Sequence, residues 1–303
     1  MSSTAPRHFL EVDDLSAAEV AQVLTLAADS GRPPLLAGAT VGLYFEKPSL
    51  RTRHSCEAAV AQLGGHPVTF RTEEVGSGER EPIADIARVL SGYHALIGGR
   101  VYAHALLEAW ADASTIPVVN LLSDAGHPCQ AIADLLTMQQ EWGALDGRTV
   151  AWIGDYNNVA RSLCLGAART GMVVRIASPN GYGPTDLDVE RLLAAGLALA
   201  PFVTSRPTEA AGGADAVHTD VWASMGHEAE ADARRRAFEG FGVDDSVMAA
   251  AGADALFLHC LPAHRGEEVA ASVVDGPQSR VFSQAHNRLH AFRGVLRFLL
   301  EDA

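Results

Sequence analysis

The chain has 303 residues, of which 48% are hydrophobic and 20% are charged, and its formal net charge is -14. This length allows two domains of ordinary size, and the acidic balance argues against a general nucleic-acid binder. No apolar run approaches a membrane span, and the opening MSSTAPRHFL lacks the apolar core of an export signal. We therefore expect a cytoplasmic protein with no membrane or nucleic-acid partner, and its four cysteines, which include no CxxC pair, to be reduced thiols.

The first half of the chain alternates short apolar runs with helical patterns. A capping box, SAAE, opens a first helix near residue 16. The run VGLYF precedes a helix from about Ser49 that stops at two glycines. Further helical patterns follow PVTF, ALIGG and PVVNLL, the last of them AIADLLTMQQEWG after the connecting segment SDAGHPCQ. This alternation is typical of a parallel sheet with helices on both faces.

The same alternation resumes after ALDGRT. Its apolar runs are VAWIG, VVRIASP, AVHTDVW and ALFLHCLP, and HNRLHAFRGVLRFLLE closes the chain as a helix. We therefore predict an α/β protein of two lobes, each a parallel β-sheet flanked by helices, with a cleft between them. Ligands of such sheets bind beyond the carboxyl ends of the strands, so the residues that follow each apolar run are the candidates for chemistry.

The segment SLRTR places two hydroxyls and two guanidiniums at one strand-to-helix turn. Ser49 can cap the helix, whose free N–H groups and positive end suit a phosphate. Arg51 offers a forked donor to phosphate or carboxylate oxygens, and Thr52 adds a hydroxyl. A capped surface helix with solvated arginines explains these residues equally well, and the spacing of a nucleotide P-loop is absent.

Two later segments offer hydrogen-bond donors and a thiol. In HPCQ, both His127 and Gln130 could donate to a developing oxyanion, although they could simply hold a loop in place. In HCLP, Cys260 would face the cleft, unless it is a small buried hydrophobic residue. A metal site made of His259, Cys260 and His264 is disfavoured, because a fourth ligand with suitable spacing is missing.

Two segments suit an amino acid. GDYNN lacks the glycines of a dinucleotide fingerprint, whereas its asparagines could donate to a carboxylate and accept from an ammonium group. In DVWASMG, Asp220 could hold an amine and the loop could close over it, or Asp220 could cap the next helix. Together the clusters indicate group transfer between a phosphorylated anion and an amine, and they do not name the group.

Five motifs resemble those of ornithine carbamoyltransferases in order and spacing: FEKPSLRTR, HPCQAIADLL, DVWASMG, FLHCLPAHRGEEV and AHNRLHA. The resemblance implies a carbamoyl phosphate-binding domain at 1–140 and an ornithine-binding domain at 141–285. A C-terminal helix at 286–303 would return to the first domain. It also implies a homotrimer with active sites at subunit boundaries, possibly assembled further.

The resemblance also assigns roles to individual residues. Carbamoyl phosphate would be bound by Ser49, Leu50, Arg51, Thr52, Arg100, His127, Gln130 and Arg288. The amino acid would be bound by Asn158, Asp220, Ser224, Met225, Cys260 and Leu261. The implied catalytic residues are Arg100 and His127, which would stabilise the carbonyl oxygen, and Asp220 and Cys260, which would orient the amine. The implied reaction converts carbamoyl phosphate and L-ornithine into L-citrulline and phosphate, with no cofactor and no metal.

The sequence departs from the family pattern at several positions. Gly76 stands where the family often has a glutamine, in the loop 74–81 that reaches a neighbouring subunit. Gly92 replaces a common arginine, and Gln284 and His286 stand in for acidic residues. These departures leave open a paralogue that carbamoylates another diamino acid, such as 2,3-diaminopropionate, 2,4-diaminobutyrate or lysine. An aspartate-using relative and a non-catalytic carbamoyl phosphate-binding partner are further alternatives that the retained motifs disfavour.

Overall fold

The computed structural model describes residues 6–75, 80–223 and 230–301. The chain divides into two compact units: unit 1 is Met1–Ala133 with His286–Ala303, and unit 2 is Asp134–Ala285. Each unit is an α/β structure built on a parallel sheet. The predicted fold class is therefore confirmed.

The elements of the first half are the 3₁₀ helix Val12–Asp14, α1 (Ala17–Ala28), β1 (Thr40–Phe45), α2 (Leu50–Gln62), β2 (His66–Arg71), α3 (Thr72–Val75), α4 (Ile83–Ser91), β3 (Leu96–Arg100), α5 (His104–Ala113), β4 (Val118–Leu122) and α6 (Pro128–Trp142). Those of the second half are β5 (Thr149–Ile153), α7 (Asn158–Arg169), β6 (Val173–Ala177), α8 (Asp186–Ala194), β7 (Phe202–Thr204), α9 (Pro207–Ala211), β8 (Ala216–Thr219), α10 (Ala231–Ala237), α11 (Asp245–Ala251), β9 (Leu256–His259), α12 (Ala271–Val274) and α13 (Val281–Leu300).

The sheet of unit 1 has the strand order β2-β1-β3-β4. The end of β1 lies beside the end of β3, with Phe45 paired to Arg100. One face of this sheet packs on an aromatic cluster in which the ring of Tyr44 lies 5.5 Å from Phe70 and 5.0 Å from Trp110. This buried cluster supports the strand ends that carry the candidate anion-binding residues.

The sheet of unit 2 has the strand order β7-β6-β5-β8-β9. The ends of its three adjacent strands are in register, with Ile153 paired to Thr219 and Thr219 paired to His259. The segments that leave β5, β8 and β9 therefore begin side by side. Those segments carry the asparagines, Asp220 and Cys260.

The last helix returns to unit 1, as predicted. In the final turns of α13, Arg293 Nη1 donates to Gln62 Oε1 at 2.8 Å and Arg297 Nη1 to Asp29 Oδ2 at 2.7 Å. Both partners lie at helix C-termini, where a cation offsets the negative end of the helix dipole. None of the described helices combines the length and the apolarity that crossing a bilayer requires.

The sequence-based prediction lacked the short helices α3 and α9 to α12, and it also differs from the structure at β7 and α6. Strand β7 was not predicted, because it has only three residues and two of them are exposed, so it shows no buried apolar run. Helix α6 begins at Pro128, inside the segment predicted to connect strand and helix. Proline suits a first helical turn, since its fixed φ is helical and no N–H is needed there.

Candidate functional site

The N-terminus of α2 provides the predicted anion-binding turn of unit 1. Ser49 is the N-cap, and its Oγ accepts the Thr52 N–H at 3.4 Å. The first N–H groups of a helix have no partner within the helix, and together with the positive end of the helix dipole they suit an anion. The side chain of Leu50 is 72% exposed, so its contribution to such a site comes from its backbone.

Thr52 is the point at which two arginines meet. Arg100, from the end of β3, donates from Nη1 to Thr52 Oγ1 at 3.2 Å, and Arg288, from α13, donates from Nη2 to the same oxygen at 3.1 Å. Arg288 Nη1 also donates to Gln130 Oε1. All four residues are buried. The structure thus brings together four of the predicted residues, which lie far apart in the chain, and half-buried Arg51 lies on the same helical turn as Thr52.

His127 is buried immediately before α6 and belongs electrostatically to the same group. Burial, followed by the charges of Arg288, Arg100 and Lys47, holds the pKa of its imidazole well below the ordinary value of 6.5. The ring is therefore neutral at neutral pH. A neutral imidazole can donate a hydrogen bond to a carbonyl oxygen without itself carrying charge.

Lys47 is a candidate that the sequence reasoning missed. It is only 8% exposed, and its ammonium lies 4.6 Å from the centroid of the Tyr102 ring, a cation–π arrangement. A lysine at a turn is normally solvated, so its place two residues before Ser49 gave no sign of burial. Together with Arg100 and Arg288, it makes this part of an acidic chain cationic.

In unit 2, Asp220 is held by two neighbouring segments. Cys260 Sγ donates to Asp220 Oδ1 at 3.0 Å, and Asn157 Nδ2 donates to Asp220 Oδ2 at 2.9 Å. Asp220 is 7% exposed, so its carboxylate has a fixed orientation. The structure places Asn157 on this carboxylate, whereas the sequence reasoning singled out Asn158, which is the first residue of α7.

The backbone after Cys260 has an unusual conformation. Leu261 has φ of 60°, a region that residues other than glycine rarely adopt. Its N–H donates to His259 Nδ1 at 2.9 Å, so Nδ1 is unprotonated, and the proton on Nε2 faces Glu268 Oε1 at 3.2 Å. This arrangement fixes the tautomer of the ring and holds the turn that carries Cys260.

Two of the predicted amino-acid-binding residues, Ser224 and Met225, lie outside the described residues, as does Gly76. Among the described residues, two groups have potential metal ligands within 4.8 Å of one another: Asp220, His259 and Cys260, and His264, Glu267 and Glu268. His259 and His264 fall in different groups. In the first group the thiol already donates to the carboxylate, so the geometry fits hydrogen bonding.

The fold and these residues define a two-unit α/β protein with a cationic turn in one unit and a carboxylate–thiol pair in the other. The family model described as "Aspartate/ornithine carbamoyltransferase, carbamoyl-P binding domain" matches residues 7–140. The model of the "Asp/Orn binding domain" of the same family matches residues 146–299. The chain belongs to the aspartate/ornithine carbamoyltransferase family.

Similar relatives narrow this assignment. The ornithine carbamoyltransferase of Acidothermus cellulolyticus is 51% identical over 306 residues, covering 98% of this chain and 97% of the relative. Among solved structures, the ornithine carbamoyltransferase of Pyrococcus furiosus matches with a TM-score of 0.93 and 41% identity over 100% of both chains. That of Thermus thermophilus matches with a TM-score of 0.88 and 43% identity, covering 98% of this chain and 100% of the other. The resemblance drawn from the motifs is confirmed.

Proposed function

We propose that the chain transfers the carbamoyl group of carbamoyl phosphate to the side-chain amine of L-ornithine, giving L-citrulline and phosphate. The observation that carries the proposal is the buried pair of arginines on Thr52, found in a chain 51% identical over 306 residues to an ornithine carbamoyltransferase. The pathway served would be arginine biosynthesis. No step of the reaction requires a cofactor.

The groups of unit 1 suit carbamoyl phosphate. The first turn of α2 and the guanidinium of Arg51 would hold the phosphate, with Ser49 and the Leu50 backbone at its edge. Arg100 and neutral His127 would donate to the carbonyl oxygen as negative charge builds on it, with Gln130 and Arg288 completing the donor set. Donors placed in advance around a developing oxyanion contribute about 3–4 kcal/mol each in comparable sites.

The groups of unit 2 suit an amino acid with a side-chain amine. Asp220 and Cys260 would orient the amine, and Asn158, Leu261, Ser224 and Met225 would hold the rest of the amino acid. The amine lone pair attacks the carbonyl carbon, the bond from that carbon to the phosphate oxygen breaks, and the departing phosphate takes the amine proton. Holding the reactants in line supplies about 7–11 kcal/mol of the barrier reduction.

The assembly and the cellular location belong to the same proposal. Membership of the family supports a homotrimer in the cytoplasm, with the domain boundaries predicted above. Light scattering on the purified protein tests the trimer, since a trimer has three times the mass of the chain. A mass equal to that of one chain would contradict it.

The deciding experiment is an acceptor panel. Purified protein is incubated with carbamoyl phosphate and, separately, ornithine, lysine, 2,4-diaminobutyrate, 2,3-diaminopropionate, putrescine and aspartate, and both ureido product and phosphate are measured. We expect ornithine to exceed every other acceptor in kcat/KM. A different preferred diamino acid would identify a paralogue, and carbamoyl phosphate binding without turnover would identify a non-catalytic partner.

A pair of variants tests the anion-binding turn. Arg51→Ala removes a guanidinium from the first turn of α2, and we expect a loss of about 3–4 kcal/mol of transition-state stabilisation. Arg53→Ala is the matched control, because Arg53 Nε instead pairs with Glu57 Oε1 at 2.8 Å on the same helix. Near-normal turnover in Arg51→Ala would refute the assignment of this turn.

A further inference from the structure

Gln284 is a buried amide that the proposed reaction does not use. It lies in α13, within unit 2, and is 1% exposed. Its Oε1 accepts the backbone N–H of His259 at 2.9 Å, and its Nε2 donates to Asp134 Oδ1 at 2.7 Å. The same Nε2 lies 3.0 Å from His218 Nε2. One side chain therefore joins α6, β8 and β9.

These contacts allow only one orientation of the amide. Since the His259 N–H is a donor, the Gln284 oxygen must face it, and the two Nε2 hydrogens are left for Asp134 and His218. Donation to His218 requires that its Nε2 be unprotonated. His218 Nδ1 lies 3.1 Å from the Thr219 carbonyl, so the ring carries its proton there.

Gln284 covers the outer edge of β9, where the described part of the chain adds no further strand to the sheet. β9 is an outer strand of the unit 2 sheet, and its outward-facing backbone groups need partners. The neighbouring position on this edge is covered by backbone, because Phe257 N–H donates to the Gln278 carbonyl and Arg280 N–H donates to the Phe257 carbonyl. At His259 the Gln284 side chain replaces backbone as the partner, because its Oε1 accepts the His259 N–H.

Two residues that contact Gln284, His218 and His259, lie within two residues of the carboxylate–thiol pair in the chain. His218 is two residues before Asp220, and His259 is the residue before Cys260. Asp220 and Cys260 in turn are joined by the 3.0 Å hydrogen bond between Sγ and Oδ1. A hydrogen bond of this kind weakens steeply when its angle or length is disturbed.

We propose that Gln284 is a positioning residue. It holds the ends of β8 and β9 in the relative position that allows Cys260 Sγ to form its hydrogen bond with Asp220 Oδ1. The substrate-related part of this inference rests on the proposed function, because Asp220 and Cys260 are assigned there to the amine. The geometric part does not, since the thiol–carboxylate contact exists whatever the acceptor is. A purely structural role for Gln284 would change stability and leave the reactivity of Cys260 unaltered.

The test compares Gln284→Met with Gln278→Met. Methionine keeps the size of the side chain and removes every hydrogen bond of the amide. Gln278 is a matched control, because its Nε2 also donates twice within unit 2, to the Gly252 and Ala255 carbonyls at 2.9 and 2.8 Å. Neither of those carbonyls adjoins Asp220 or Cys260.

The first measurement is the rate at which iodoacetamide alkylates Cys260 in the folded protein. The extent of alkylation at each time is read by peptide mass spectrometry. The other three cysteines are buried, so they act as internal references. A thiol whose proton is held by a carboxylate reacts more slowly than one whose partner has moved. We expect Gln284→Met to raise the rate about tenfold, as for a lost hydrogen bond worth 1–1.5 kcal/mol, and Gln278→Met to leave it unchanged.

The second measurement is steady-state kinetics with ornithine and carbamoyl phosphate. We expect Gln284→Met to lower kcat/KM for ornithine about tenfold and to leave KM for carbamoyl phosphate unchanged. An unaltered alkylation rate, or one that changes equally in Gln278→Met, overturns the inference even if activity falls. If wild-type protein has no carbamoyltransferase activity, the proposed function fails while the alkylation result still decides the role of Gln284.

Gln284→Glu provides a second variant in case methionine prevents folding, which the melting temperature reports. A carboxylate can still accept the His259 N–H, and where it shares a proton with the neighbouring Asp134 it leaves no hydrogen for His218. We expect its alkylation rate to lie between those of wild type and Gln284→Met. A rate equal to that of wild type in a folded Gln284→Glu protein shows that the link to β8 does not position the thiol, and overturns the inference.

Discussion

Cys260 and Asp220, 40 residues apart in the chain, are joined by a 3.0 Å hydrogen bond from Sγ to Oδ1. Each follows the last residue of one of two paired strands, β8 and β9. The second carboxylate oxygen accepts from Asn157 Nδ2. Because both oxygens have a fixed donor, the carboxylate presents one defined direction to an incoming amine.

Cys260→Ala removes one of these two donors. Hydrogen bonds to charged groups contribute about 1.5–3 kcal/mol, so we expect kcat/KM for ornithine to fall roughly 10- to 100-fold. Cys260→Ser should lose less, since a hydroxyl can still donate to Asp220. Steady-state kinetics on both variants checks the prediction, and equal activity of the alanine and serine variants would contradict it.

Thr52→Val leaves the side-chain shape almost unchanged and deprives Arg100 and Arg288 of their shared acceptor. We expect KM for carbamoyl phosphate to rise about tenfold, because two buried guanidiniums lose the oxygen that orients them. The control is Thr25→Val, in which the lost hydroxyl bonds only to the Ala21 carbonyl of an exposed helical turn. Initial rates at varied carbamoyl phosphate concentration give this KM for both variants. An equal rise in KM in both would contradict the prediction that Thr52 orients the two arginines.

Stability below pH 6.5 should depend on His127. Its pKa in the folded protein lies well below 6.5, through burial and then through Arg288, Arg100 and Lys47. The unfolded chain therefore binds more protons than the folded protein below about pH 6.5, and folding stability falls as the pH drops. The contribution of His127 to the free energy of unfolding is complete above that pH. Below it, this contribution falls by about 1.4 kcal/mol per pH unit.

His127→Gln should therefore flatten the acid limb of the stability curve, because glutamine does not titrate. Urea unfolding at a series of pH values between neutral and mildly acidic measures the difference. Parallel curves for wild type and His127→Gln would show that His127 binds its proton equally well in the folded protein and in the unfolded chain, and would contradict the prediction.

Arg234 links three segments of unit 2. Its Nη1 donates to Asp155 Oδ2 at 2.6 Å and to the Trp222 carbonyl at 3.0 Å, and its guanidinium lies 5.3 Å from the Tyr182 ring centroid. Since Trp222 is two residues after Asp220, we expect Arg234→Met to raise KM for ornithine. We also expect it to lower the free energy of unfolding by about 1.5–3 kcal/mol.

Arg235→Met is the matched control for that experiment. Arg235 makes ion pairs with Asp232 and Glu267 and its side chain is 54% exposed, and exposed pairs contribute about 0–1 kcal/mol. Kinetics and urea unfolding on both variants provide the comparison. A similar rise in KM and a similar loss of unfolding free energy in Arg235→Met would show that the effect comes from any change in α10, and would contradict a specific role for Arg234.

Local patterns were enough to predict the two α/β units, and they indicated the strand ends as candidate positions for chemistry. The alternation of short apolar runs with helical periodicity can be seen in the sequence. The parallel strands that it predicts all have their carboxyl ends at one edge of their sheet. In this way Ser49 could be assigned to the N-cap of a helix, and Asp220 and Cys260 to the segments that follow two strands. Strand β7 could not, because its exposed residues lack a pattern of burial.

What only the tertiary structure decided is which of these residues touch and what burial does to them. Thr52 meets Arg100 and Arg288 from 48 and 236 residues away, and no periodicity encodes such a meeting. The same holds for the contact of Asn157 with Asp220. Desolvation depends on everything packed around a group, so the buried charge of Lys47 and the neutral ring of His127 follow from packing, which the sequence specifies only through the complete fold.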